Sequence, residues 1–318
     1  MLGLGTSILT GGVLSVSYSS LLVNAFKTRV EADGGSVENT ACLTNDVEYL
    51  TTNPEPAAFT GLLDTYSGAA AAYSLRLLSS TYSGNAIKVR RASDNVEQDI
   101  GFVDNELDTS SLETFCSGTD GFITTWYDQS GNANNATQAT ASAQPKIVSS
   151  GSTILENGKA AVEFDGNDHI PNGVGTSTPT NVSAFAVRGI SSYPTTFRTL
   201  FNYKVFGFTY NSNGGSAYGN RAHIFKTGDP VAKSDNYPTT TGQAVDTIIN
   251  KTNLERNAFT ATLSSGGNYL DGTSAIGSWS GTSQTFLGTI QELVIYESDE
   301  SANKSGIKTN INDFYTIY

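Results

Sequence analysis

The sequence predicts a mainly β protein: an antiparallel β-sandwich preceded by a short helical N-terminal module and closed by a C-terminal helix or turn. Three observations predict it. From Lys159 onward short apolar runs (AAVEFDG, SAFAVRGI, FRTLFNYK, VFGFTYN, RAHIFKTG, AVDTIINKT, AFTATLSS, TFLGTIQELVIYE) recur, punctuated by Gly, Asn, Asp and Ser at the spacing of an antiparallel sandwich. No long helical pattern interrupts that series, which argues against a doubly wound α/β arrangement. The 318 residues include 15% charged and 10% aromatic residues and 32 glycines, too little charge for a coiled coil and too many aromatics for a disordered chain.

In chain order, Leu22, Phe26 and Val30 form a helical stripe that stops at Gly34 and Gly35, where positive φ is free of steric cost. A second short helix is expected from Ser36 as N-cap through Leu43, Val47 and Leu50. Pro54 and Pro56 then punctuate the chain, which divides it into a helical module over 1–58 and a sandwich over 59–318. The alternative, that these helices cover a sheet face, stays open. A helix is also expected from Gly68 to Leu78, where four alanines and SLRLL supply good helix formers. Beyond Tyr82 the pattern turns to strands in AIKVRR and FITTWYD, and DQSGNANN (128–135) is turn chemistry throughout. At the end, Ile307, Ile311, Phe314 and Tyr315 share one helical face, expected to lie against the sandwich.

The charge balance narrows the partners. Acidic residues outnumber basic ones 30 to 18, a net charge of -12, which leaves no basic stripe for a nucleic acid. No apolar run reaches the roughly 20 residues of a membrane helix, so no membrane span is expected. The opening MLGLGTSILTGG lacks the charged start of a secretory signal. With two His and two Cys no zinc-type site is expected. Cys42 and Cys116 are read as a bridge or as two buried thiols.

Two resemblances follow from particular strings. The stretch LLDTYSGAAAAYSLRLLSSTYSGNAIKVRRASDN, continued by DTSSLETFCSGTDGFITTWYDQSGNANNATQ, resembles the catalytic-domain core of the fungal arabinofuranosidase B family from Leu62 to about Gln138. That resemblance implies a concanavalin A-like (jelly-roll) sandwich. The strings FDGNDHI, GTIQELVIYESDES and IKTNINDFYTIY resemble the ends of laminin-G-like and concanavalin A-like domains of tailed-bacteriophage structural proteins. MLGLGTSILTGG and FKTRVEADGGSVENTACL resemble N-terminal parts of virion proteins.

Glycoside hydrolysis usually takes two carboxyl groups at a fixed separation. The arabinofuranosidase B resemblance implies a Glu and an Asp downstream of WYDQSGN, the Glu within an acidic and asparagine-rich strand motif. Between Phe164 and Phe286 the sequence has one Glu, Glu255 in NKTNLERNAF, a context unlike that motif and read as a solvated charge beside Arg256. Cys116 matches a family cysteine, but its near partner falls at Gly121, and FRTLFNYK lacks the family's adjacent cysteine pair. No catalytic residue is carried across, and the expectation is a scaffold without hydrolysis.

The remaining candidates are weighed against plainer roles. Asp165, Asn167 and Asp168 in FDGNDHI offer hard oxygens to calcium, or form an Asx-rich turn; Asp128 with Asn132 invites the same two readings. No other cofactor is expected. Arg90 and Arg91 are expected to pair locally with Asp94, and Trp126 to pack in the core. His169 and His223 read as surface or packing histidines. Tyr269 and Trp279, in GGNYLDGTSAIGSWSG, are candidates for an aromatic carbohydrate-binding platform, with hairpin packing as the alternative. The resulting expectation is a bacteriophage virion structural protein, located in the virion, a homo-oligomer whose partners are other virion proteins, and not an enzyme. The alternatives are a carbohydrate-binding module for host-surface glycans and an arabinofuranosidase-like glycoside hydrolase.

Overall fold

The computed structural model describes residues 58–172, 179–191, 198–203, 206–211, 221–226, 232–234, 241–250, 253–257, 259–261, 264–265, 274–279 and 284–318. The helices expected over 22–30 and from Ser36, Cys42, and the proposed module boundary at 58 lie outside or at the limit of these residues. Among the described residues no helix is long and apolar enough to cross a membrane.

The architecture is mainly antiparallel β, as the apolar runs predict. The larger sheet runs, strand by strand, Phe259–Ala261, Asn253–Arg256, Gly242–Ile249, Ser183–Ile190, Leu287–Tyr296, Val162–Asp165, Lys146–Ser149, Gly121–Trp126, Ile87–Arg91 and Glu97–Ile100. Ala69–Ser74 also pairs with Leu287–Tyr296, so that central strand is flanked on one side by two strands laid end to end. A second sheet runs Ile170–Pro171, Ala275–Ile276, Arg198–Tyr203, Phe206–Asn211, Arg221–Lys226, Ala232–Ser234 and Ser264–Ser265.

Side chains alternate along a strand, so a strand buried on both faces must be apolar on both. Leu287–Tyr296 shows this: Leu293 and Ile295 enter one core with Trp126, Phe164 and Tyr203, while Val294 and Tyr296 enter another with Phe185 and Val245. The second core is completed by the helix Lys304–Tyr315, whose Ile307, Ile311 and Tyr315 are buried, as the terminal stripe predicts.

The helix expected from Gly68 to Leu78 is instead the strand Ala69–Ser74, paired with Tyr296 through Glu292. Ala71 and Tyr73 face one core and Ala72 the other. Alanine suits this place because little room remains beside the central strand, and tertiary burial overrides local helix propensity.

Three carboxylates stay inside this framework in ion pairs. Glu292, fully buried, meets Arg76 at 2.7 Å and accepts from the Ser74 hydroxyl at 2.9 Å. Asp246 lies between Arg188 (2.9 Å) and Arg256 (2.7 Å). Glu255 is not the solvated charge expected beside Arg256: it is 4% exposed and held by Lys304 and Lys308 of the C-terminal helix. Removing one partner from such a pair would strand a buried charge, so these groups are committed to the fold.

Candidate active site

The loop after Gly121–Trp126 is shaped by its own polar side chains. Asp128, 4% exposed, accepts from the backbone N–H of Ala72 (2.8 Å), Ser130 (2.9 Å) and Asn134 (2.9 Å) and from the Ser130 hydroxyl (2.7 Å). Gln129 donates to the Ser74 and Arg76 carbonyls and accepts from the Leu78 N–H. Asn132 donates to the carbonyls of Ala69 and Ala70. The WYDQSGN turn is therefore a clamp on the strand Ala69–Ser74, satisfying backbone groups that the ladder leaves open. Trp126 packs in the core with no exposed surface and Arg91 pairs with Asp94 at 2.6 Å, both as expected, whereas Arg90 donates to Asn95 and Gln144 instead of to Asp94.

The FDGNDHI segment forms a second polar turn, between Val162–Asp165 of the larger sheet and Ile170–Pro171 of the smaller. Asp165 accepts from the Asn167 N–H (2.7 Å), and Asp168 accepts from the Asp165 N–H (2.9 Å). Gly166 takes φ 96°, a left-handed value that costs a residue with a Cβ, and its carbonyl accepts from Arg198 Nη1 and the Thr285 hydroxyl. The structure thus brings Asp165, Asn167 and Asp168 together in one Asx-built turn. Among the described residues no three His, Cys, Asp or Glu side chains converge as a metal site.

Asp168 stands apart from the paired carboxylates. It is 7% exposed, and burial, reinforced by the neighbouring Asp165 and Glu163 charges, pushes its carboxyl up to about 7 despite the hydrogen bond from the Asp165 N–H. A carboxylic acid in that range can hold a proton at neutral pH and give it up, which is what a general acid must do.

His169 lies against Gln138. The Thr140 N–H holds the Gln138 Oε1 (2.9 Å), so the Gln138 NH₂ donates to the His169 carbonyl (2.8 Å) and faces the His169 Nε2 (3.2 Å). Nε2 must then accept, which puts the ring proton on Nδ1. Burial lowers this imidazole below its ordinary value, so the ring is neutral. Neither the Asp168 acidity nor this tautomer had a signal in the sequence, because each arises from what other chain segments place around the residue.

Trp279 is half-buried, and its carbonyl accepts from the Asn202 amide at 2.9 Å. Tyr269 lies outside the described residues. His223 sits in the strand Arg221–Lys226, paired with Thr209 and Lys233. Cys116 is a buried free thiol, which burial raises above its ordinary value.

Comparison with known proteins points in one direction. The family model for alpha-L-arabinofuranosidase B, catalytic, matches residues 64–221, well beyond the stretch that carries the resemblance in the sequence. A probable alpha-L-arabinofuranosidase B of Aspergillus fumigatus is 38% identical over 86 residues, covering 25% of this chain and 17% of that protein. An arabinofuranosidase solved with arabinofuranosyl-α-1,2-xylobiose is 21% identical with a TM-score of 0.52, covering 79% of this chain and 64% of that one. A GH54 α-L-arabinofuranosidase variant soaked with 4-nitrophenyl α-L-arabinofuranoside has 21% identity and a TM-score of 0.55, over 79% and 65%. The chain thus spans about a sixth of the curated relative and just under two thirds of the solved ones. At this identity the solved structures speak to the fold. These findings correct the expectation of a virion structural protein, of the virion as its location and of a chain that is not an enzyme: they lead to arabinofuranosidases and nothing in them points to a phage particle.

Proposed function

We propose that this chain is an arabinofuranosidase-like glycoside hydrolase, acting on α-L-arabinofuranosides through a concanavalin A-like sandwich that follows a separate N-terminal module over 1–58. The observation that carries the reading is the family likeness over 64–221, which takes in both the Asp128–Asn135 clamp and the Asp165–Asp168 turn. Of the four described carboxyls between Phe164 and Phe286, Asp246 and Glu255 are held in buried ion pairs and Asp165 is exposed, whereas Asp168 is buried with no cation on either oxygen among the described residues. In this reading Asp168 is the proton donor to the leaving oxygen, its readiness at neutral pH coming from burial. Trp279, together with Tyr269, is proposed as the aromatic surface that receives the glycan.

The test compares two substrates. Wild type is expected to release arabinose from 4-nitrophenyl α-L-arabinofuranoside and from an arabinosylated xylo-oligosaccharide. Asp168→Asn is expected to lose roughly 10²–10⁴-fold on the oligosaccharide, whose leaving alcohol needs a proton, and far less on the nitrophenyl substrate, whose leaving group does not. Absence of arabinose release by wild type from either substrate overturns the hydrolase reading. Equal losses on both substrates remove Asp168 from the donor role. Binding without release would favour a carbohydrate-binding module.

A further inference from the structure

The corner where the two sheets meet holds polar atoms that no group among the described residues satisfies. Trp126 pairs with Ala136, and Ala136 bridges antiparallel to Asn172, two residues beyond Ile170. Residues directly opposite in antiparallel pairs point to the same face. Trp126, Ala136 and Asn172 therefore form a row on the core side, consistent with the burial of Ile170 in the same cluster. Trp126 is fully buried and Asn172 is 6% exposed. Among the described residues, the Trp126 indole Nε1 and both amide atoms of Asn172 have no hydrogen-bond partner. With Oδ1 and Nδ2 both unpaired, the result is the same whichever way the amide is turned.

A buried amide left unpaired costs on the order of the full desolvation penalty, and native interiors satisfy such groups with protein or with ordered water. Two strand spacings separate the backbones of Trp126 and Asn172 by about 10 Å, and the residue between them is alanine, whose side chain is a single methyl group. We propose that Trp126 and Asn172 bind ordered water at the joint of the two sheets: a water accepts from the Trp126 Nε1–H and donates to the Asn172 Oδ1, and a second accepts from the Asn172 Nδ2. Water is the fitting ligand because Trp126 and Asn172 are buried, Trp126 in one core with Ala136 and Ile170, and together they offer both donors and an acceptor. The inference is independent of the hydrolase reading.

The chain has two tryptophans, so its indole N–H spectrum holds two signals, which Trp279→Phe assigns. Full-length wild-type protein is expected to show a nuclear Overhauser contact from long-lived water to the Trp126 indole proton, and a crystal structure to show water within about 3 Å of both Nε1 and the Asn172 amide. Asn172→Val is expected to lower the folding equilibrium constant roughly tenfold or more, because the waters lose their anchor. A Trp126 indole proton with no water contact, no solvent density at the corner, or an Asn172→Val variant as stable as or more stable than wild type overturns the proposal. Should the variant not fold, the two wild-type measurements decide.

Discussion

Asp168→Asn is expected to stabilise the protein in mild alkali and to leave its stability almost unchanged in acid. The carboxyl moves from an ordinary value of 3.8 to about 7 on folding, burial being the largest cause. The folded state therefore keeps a proton that the unfolded chain releases between those two values. The favourable contribution is complete below 3.8 and is lost as pH rises through about 7, above which the folded protein carries a poorly solvated charge. Taken at face value the change amounts to ~4 kcal/mol. Partial access of solvent to the turn discounts it to about 2 kcal/mol. Asparagine keeps an acceptor for the Asp165 N–H, so the turn persists while the charge is gone. Urea unfolding of both proteins at about pH 4 and about pH 8 should show a stability difference near zero at the first and about 2 kcal/mol in favour of the variant at the second. The same difference at both pH values would refute the reasoning, since it would mean that Asp168 does not change its protonation on folding. A stabilised variant that has also lost its oligosaccharide activity would display the conflict between stability and function typical of a catalytic group held in an unfavourable place.

Two further predictions concern the turns on either side. Gln129→Ala removes three buried hydrogen bonds to Ser74, Arg76 and Leu78 and should cost about 3 kcal/mol, read as a fall in the urea midpoint; a change within about 0.5 kcal/mol would show that the WYDQSGN clamp does not hold the strand Ala69–Ser74. His169, lowered below 6.5 by burial, resists a proton that the unfolded chain takes up. The stability that depends on its neutral ring is thus full above 6.5 and lost as pH falls, so His169→Gln should flatten the slope of stability against pH just below that value; an unchanged slope would show that the ring titrates normally.

Local chemistry was legible in this chain wherever it acts over a few residues. The alternating runs from Lys159 onward announced strands, the stripe of Ile307, Ile311 and Tyr315 announced the terminal helix, and DQSGNANN announced a turn, because side-chain period and turn chemistry are properties of neighbours in sequence. The strings that resemble an arabinofuranosidase core also pointed correctly to a β framework, whereas the strings that resemble virion proteins did not point to the relatives found. Burial could not be read in the same way. Four alanines favour a helix on their own, and pairing with Leu287–Tyr296, over 200 residues away, makes them a strand. Glu255 looks like a surface charge until the C-terminal helix places Lys304 and Lys308 on it. Asp168 is one aspartate among many until the sheets close around it, and its affinity for a proton is set by how much water that closure excludes, a quantity that exists only once distant segments have met.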